Sequence, residues 1–215
     1  MLKVLNLYVG IGGNRKLWKD VEVTAVENNP EIAKIYQEFF PNDKVIVGDA
    51  HQYLLDHYRE FDFIWSSPPC QTHSGVNYFL NAQGIIRYPD MSLWQEIVFL
   101  KHFFKGKWVV ENVEVYYDIL IEPFCCGRHF LWSNFHIINK KIKMDISRMN
   151  GPNQKRIHSK RLIDGAFDLS SYKIKNKEGI LNNCVDPKLG LHIFDCAFRT
   201  KQKLLSEVSG NSSHD

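Results

Sequence analysis

No stretch of the 215-residue chain approaches the roughly 18 to 20 consecutive apolar residues that would span a bilayer. Signal-peptide anatomy is also missing. Met1-Leu2-Lys3-Val4 leads straight into a strand pattern, so the expectation is a cytoplasmic protein without a membrane partner. Cysteine is too sparse for a disulfide framework: five residues, an odd number at irregular spacing, read as reduced thiols. Internal repeats and low-complexity segments are lacking, which excludes solenoids and fibrous assemblies. A net charge of +3 is too small to demand a polyanionic partner by itself. What remains is an ordinary globular composition, 44% hydrophobic, in a chain long enough for one well-buried domain and short for two.

The charge is nevertheless unevenly spread. Lys140, Lys141, Lys143, Arg148, Lys155, Arg156, Lys160 and Arg161 face a single acid, Asp145. Such a cluster suits phosphate contacts, and it equally suits a solvated loop. Ahead of it, short apolar strands alternate with helices. Residues 4–8 read as a buried strand followed by the glycine turn Gly10-Ile11-Gly12-Gly13, and residues 22–26 form a second strand ending at Glu27. Pro30 opens a helix with Ile32, Ile35, Tyr36 and Phe39 on one face. A third strand, 44–47, ends near Asp49 and precedes a short helix. Residues 61–65 form a fourth strand, and a long loop and a helix marked by Leu93, Ile97, Leu100 and Phe104 lead to a fifth, 107–110, ending at Glu111. This alternation predicts an α/β fold, a parallel sheet with helices on both faces, and the polar candidates fall at strand C-terminal ends, where such sheets bind ligands.

Gly10 and Gly12 let backbone approach a ligand, and a carboxylate at Glu27 suits the two hydroxyls of a ribose. These residues fit NAD nearly as well as S-adenosylmethionine. Asp49 adds an acceptor for an adenine amino group, or a cap for the helix after it. The fourth strand runs into Ser66-Ser67-Pro68-Pro69-Cys70-Gln71, where two prolines stiffen the backbone before a thiol. The fifth ends in Glu111-Asn112-Val113, and neighbouring strand ends bring Glu111 near Cys70. Cys125-Cys126-Gly127-Arg128-His129 has no second ligand pair, so no metal is expected. His51 and His73 read as capping or loop residues, Cys184 and Cys196 as packing.

Asn6-Leu7-Tyr8-Val9-Gly10-Ile11-Gly12-Gly13, Pro69-Cys70-Gln71 and Glu111-Asn112-Val113 resemble, in order and spacing, the DNA cytosine-5 methyltransferase family. Asn183-Cys184-Val185-Asp186-Pro187 is similar to that family's late asparagine-x-valine-x-proline segment. The resemblance implies a Rossmann-like sheet that binds S-adenosylmethionine and releases S-adenosylhomocysteine. It assigns Tyr8, Gly10, Ile11 and Gly12 to the methionine portion, Glu27 to the ribose and Asp49 to the adenine, with Asn28, Ala50, Pro68 and Asn183 among the cofactor-binding residues. It makes Cys70 the nucleophile that adds to carbon 6 of a flipped-out cytosine, and Glu111 the acid at ring N3. Arg128 is similar to the first arginine of the family's arginine-rich segment, although Phe130 stands where a second is frequent. Arg128 could contact the cytosine O2 and position Cys70; the alternative is a surface arginine at a strand start. The loop 72–89 resembles a lid over the flipped base, placing Gln71, Ser74 and Arg87 at the nucleic acid. The base that removes the carbon-5 proton is not identifiable, and water can serve.

The expected layout is a catalytic domain of residues 1–138 and 182–208. A reduced, basic recognition region, 139–181, is inserted before the C-terminal helix, with Lys155, Arg156 and Arg161 on double-stranded DNA, and 209–215 form a polar tail. So short a region implies a short or relaxed target, or specificity supplied by a partner protein or dimerisation. Small size points to a prokaryotic or viral modification enzyme, of the kind found in restriction–modification, acting in the cell or host cytoplasm. The alternatives are the same chemistry on tRNA, a non-catalytic DNA-binding homologue, and an NAD-dependent oxidoreductase, which Pro69-Cys70-Gln71 disfavours.

Overall fold

The computed structural model describes residues 1–139 and 167–198. The chain divides into two compact units, Met1–Val9 with Asp20–Phe135, and Gly10–Lys19 with His136–Asp215.

The first unit carries a seven-stranded sheet in the order β3-β2-β1-β4-β5-β7-β6. Strands β1 (Leu2–Leu7), β2 (Val21–Glu27), β3 (Lys44–Val47), β4 (Phe63–Ser66) and β5 (Lys107–Val113) are mutually parallel. β7 (His129–Ser133) runs antiparallel to β5 and to β6 (Phe124–Cys126). The central strands are buried on both faces and therefore read as near-continuous apolar runs.

Helix α1 (Pro30–Phe39) starts where Asn29 accepts hydrogen bonds from the amides of Glu31 and Ile32, with Pro30 at the first helical position. Asp49 caps α2 (Ala50–His57) by accepting from the Gln52 amide at 3.0 Å. α3 (Val76–Ala82) interrupts the expected loop, and α4 (Ser92–Phe103) follows. One core joins Ala50 and Leu54 of α2 and Leu93, Trp94, Ile97 and Leu100 of α4 to Leu5, Leu7, Val26, Ile64 and Val110 of the sheet. The β2–β3 connection moves the opposite way across the sheet from β3–β4, so right-handed crossovers put α1 on the other face from α2. Strand order reverses between β1 and β4, the switch point at whose C-terminal edge such sheets bind ligands.

In the second unit, α5 (Lys177–Asn182) precedes α6 (Pro187–Phe198), which Asp186 caps through the amides of Lys188 and Leu189. The glycine turn packs against this late segment. Trp18 donates from Nε1 to the Gly190 carbonyl at 3.1 Å and stacks on Phe194. A β-carbon on Gly13 would meet the Val185 carbonyl oxygen at 2.3 Å, and one on Gly190 would meet that of Asn14 at 2.3 Å. No helix among the described residues is long and apolar enough to cross a membrane.

Candidate active site

Register brings the strand ends level: Leu7 pairs with Ser66, and Ser66 with Val110. Tyr8 and Glu111 are the next residues out on their strands. Tyr8 turns the chain with a left-handed backbone, φ 56°, a conformation a bulky side chain adopts only under constraint. The constraint is Glu96 of α4. The Tyr8 hydroxyl donates to Glu96 Oε1 at 2.7 Å, His51 Nδ1 lies 3.0 Å from the same oxygen, and the Ser66 hydroxyl donates to Oε2. Glu96 is fully buried, so its charge is held by these three donors across the β1–β4 switch point. Burial and the adjacent Glu96 push the Tyr8 phenol far up, fixing it as a donor. The hydrogen bond to Glu96 raises the His51 imidazole despite partial desolvation. His51 therefore anchors a buried acid, beyond the capping role expected for it.

The segment after β4 is tied down at the same edge. Asn112 donates from Nδ2 to the Pro68 carbonyl at 3.0 Å, joining the Pro-Pro-Cys turn to β5, and Trp65 Nε1 donates to Ser67 Oγ at 2.9 Å. The Cys70 carbonyl accepts from the amides of His73 and Ser74, closing a turn that holds the half-buried thiol. Burial pushes that thiol up, the Glu111 charge adds to the rise, and Arg128 opposes it. Glu111 and Arg128 thus bear with opposite sign on the Cys70 thiol. Glu111 is buried and bonded to the buried His129, with Nδ1 to Oε1 at 2.6 Å, and Arg128 donates from Nε to His129 Nε2 at 3.4 Å. Phe130 has a packing reason for standing where a second arginine is frequent: it lies in the core edge-on to Trp132.

The other candidates divide by unit. In the first, Glu27 is buried at the end of β2 and accepts from the Asn29 amide at 3.0 Å, beside exposed Asn28. Asp49 is exposed, one oxygen engaged in the cap before buried Ala50, and Pro68 is buried. In the second, Gly10 and Gly12 take φ of 54° and 86°. A β-carbon on Gly10 would touch nothing within 4 Å, so the backbone there lies open as close approach to a ligand requires. Ile11 is buried, and exposed Asn183 ends α5. Burial pushes the Cys184 thiol up to about 12, with the backbone of Ile11 and Gly13 as its partners. The late segment therefore returns to the glycine turn. Taken each within its own unit, the buried carboxylate of Glu27 has the chemistry to accept from ribose hydroxyls, and the open backbone at Gly10 that to admit a ligand closely, as an adenosyl cofactor needs.

Of the nucleic-acid candidates, Gln71 and Arg87 are exposed and Ser74 is half-buried, bridged to Val115. Lys155, Arg156 and Arg161 lie outside the described residues. Helix α3 presents Val76, Tyr78 and Phe79 to solvent, and Ile86 and Tyr88 follow, also exposed. Beneath them, His73 is fully buried, with Nδ1 2.6 Å from the Tyr117 hydroxyl, which also accepts from Trp94 Nε1. Burial lowers the His73 imidazole, and its Nε2 and the Asn77 Oδ1 have no hydrogen-bond partner among the described residues. No group of three His, Cys, Asp or Glu side chains among the described residues gathers as a metal site. Sequence reasoning passed over Glu96, took His73 for a capping or loop residue, and met His129 only in a motif discounted as a metal site. Glu96 carried a signal, an acid inside the apolar stripe of Leu93, Ile97 and Leu100.

Sheet order, an antiparallel β7 and polar strand ends at the switch point define a Rossmann-like α/β domain of the methyltransferase type. The chain belongs to the C-5 cytosine-specific DNA methylase family, whose model matches residues 2–116, more than half of its length, including Tyr8, Cys70 and Glu111. Methyl transfer to carbon 5 of cytosine, with S-adenosylmethionine as the cofactor, is the reaction of that family. No curated protein matches the chain. Among solved structures, a hypothetical protein of Thermus thermophilus is 18% identical, with a TM-score of 0.39, over 61% of this chain and 73% of its own. Spodoptera frugiperda DNMT2 is 26% identical, TM-score 0.39, over 53% of this chain and 36% of its own. A putative DNA modification methyltransferase encoded in an E. coli prophage is 19% identical, TM-score 0.37, over 55% and 34%. The chain therefore spans about a third of the last two.

Proposed function

We propose that this protein methylates carbon 5 of cytosine in double-stranded DNA through a covalent adduct between Cys70 and a cytosine swung out of the helix. The observation that carries the reading is the tie between the Pro-Pro-Cys turn and β5, Asn112 Nδ2 to the Pro68 carbonyl, with Glu111 and Arg128 acting on the Cys70 thiol. Carbon 5 of cytosine is a poor nucleophile. A Cys70 thiolate added to carbon 6 makes the ring behave as an enamine, and Glu111 at N3 stabilises the electrons displaced. S-adenosylmethionine, when bound, supplies the electrophilic methyl group. Tyr8, Gly10, Ile11, Gly12, Glu27, Asn28, Asp49, Ala50, Pro68 and Asn183 are the residues proposed to hold it. Arg128 positions the ring and draws the Cys70 thiol towards its thiolate. The exposed Tyr78, Phe79 and Tyr88 with Gln71, Ser74 and Arg87 support a lid that meets the opened duplex.

The test is DNA containing 5-fluorocytosine, which lacks the carbon-5 proton whose loss releases the enzyme. A denaturation-resistant adduct, dependent on S-adenosylmethionine and mapping to Cys70, is expected. Cys70→Ser should form none while still binding S-adenosylmethionine. The same assay on tRNA separates the two substrates: trapping on tRNA alone would replace DNA as the target. Methyl transfer by Cys70→Ser at the native rate would refute the covalent route.

A further inference from the structure

We infer that His129 is a positioning residue for the reaction: it orients Glu111 and stabilises the carboxylate left when Glu111 gives its proton to cytosine N3. The inference rests on the proposed cytosine chemistry and goes beyond it, because neither the mechanism nor the motifs that carry the family resemblance use this histidine.

The geometry is a chain of three groups. Glu111 pairs with Leu131 across β5 and β7, and Val113 pairs with His129, so the carboxylate and the imidazole are diagonal neighbours on one face of the sheet. Both are buried and their side chains meet at 2.6 Å, while Arg128 donates from Nε to the far ring nitrogen at 3.4 Å. A nitrogen that accepts from a guanidinium cannot also carry a proton towards it. The ring proton therefore sits on Nδ1 and is donated to Glu111 Oε1. One carboxyl oxygen is thus occupied, and Oε2 is left to face the base.

The step balances as follows. The sulfur of the Cys70 thiolate bonds to carbon 6, and the carbon 5–carbon 6 π pair moves to carbon 4–carbon 5. The carbon 4–N3 π pair becomes a lone pair on N3, which takes the proton from Glu111 Oε2; Glu111, a carboxylate in the free protein, has by then gained through water the equivalent of the proton that the Cys70 thiol loses. The carboxylate formed accepts the Nδ1 proton of His129 more strongly than the neutral acid did, so the contact stabilises the charge-separated state over the resting one. When the carbon-5 proton departs and the sulfur leaves, N3 returns its proton to Glu111.

The experiment compares wild type, His129→Leu and His129→Asn in single-turnover methyl transfer to DNA, with binding of S-adenosylmethionine and melting temperature measured on each. An asparagine amide reaches the place of Nδ1 and donates; leucine does not. Loss of the donor should lower the transfer rate by about 100-fold, with KM changed by no more than about twofold, and asparagine should recover all but about tenfold. Leucine and asparagine variants equally slow, or a leucine variant as fast as wild type, would overturn the inference while leaving the cytosine chemistry standing. No transfer by wild type would overturn both. Should His129→Leu fail to fold, histidine-labelled nitrogen NMR of the native protein decides. A proton on Nδ1 of His129 is expected, and one on Nε2 alone overturns the inference.

Discussion

Glu96 brings a full charge into the apolar face of α4, and only the donors around it make that tolerable. Replacing it by leucine orphans the hydroxyls of Tyr8 and Ser66 and the His51 ring, each at about 1–3 kcal/mol and not additively. Glu96→Gln separates charge from shape, since its amide oxygen can accept from Tyr8 and His51 and its NH2 can meet Ser66. His51 then loses the cause of its raised pKa and keeps the desolvation that lowers it, so its NMR titration midpoint should fall. The stability that the pair contributes is fully present below the ordinary imidazole value of 6.5 and is lost as pH rises through the raised folded value. Wild type should lose melting temperature across that window and Glu96→Gln should lose less; parallel curves would sink the account. Cys70 gives a second reading at this scale. Burial first, then the Glu111 charge, holds its thiol above the ordinary 9.0. Alkylation by iodoacetamide, followed on the Cys70 peptide, should therefore have a midpoint above that value. Glu111→Gln should move it down and Arg128→Gln up, and a midpoint indifferent to both would contradict the electrostatic coupling.

Helix α6 depends on one position without a side chain. A β-carbon on Gly190 would press on the backbone of Asn14, which, unlike a flexible side-chain tip, has nowhere to yield. Gly190→Ala should cost about 1–3 kcal/mol, and loosening the turn that carries Gly10 and Gly12 should weaken binding of S-adenosylmethionine. Denaturant unfolding and calorimetry check this, and a variant of native stability would show the contact relaxes. Elements such as α6 and the five parallel strands are legible in the sequence because each carries its own local signal: a run of β-branched residues, a capping Asn29 or Asp186, a proline at the first turn. Helix α3 is not, because Val76, Tyr78 and Phe79 face solvent and leave no apolar stripe, and β6 is only three residues long. Cys70 and Glu111, the proposed chemical ends, stand out in the sequence through their motifs. Their supports do not, since Glu96 meets Tyr8, His51 and Ser66 across 88, 45 and 30 residues, and His129 meets Glu111 only through strand pairing.

At the scale of the whole molecule, a net charge of +3 conceals eight cations against one acid between Lys140 and Arg161. If those cations neutralise phosphates, affinity for duplex DNA must fall with salt, because each neutralised phosphate releases condensed counterions. Each lost contact removes about 0.9 from the slope of log K against log salt on B-form DNA, so Lys155→Ala, Arg156→Ala and Arg161→Ala together should flatten it by up to about 2.7. The rate at saturating DNA should hardly change, since phosphate contacts would bring the duplex in while the proposed chemistry of Cys70 and Glu111 takes place on the base, and the loss should be similar across sequences. The measurement is a titration of labelled duplex at several salt concentrations, repeated with tRNA. An unaltered slope on DNA would assign the cluster to a solvated surface. A slope altered on tRNA alone would instead make RNA the polyanion this charge distribution serves.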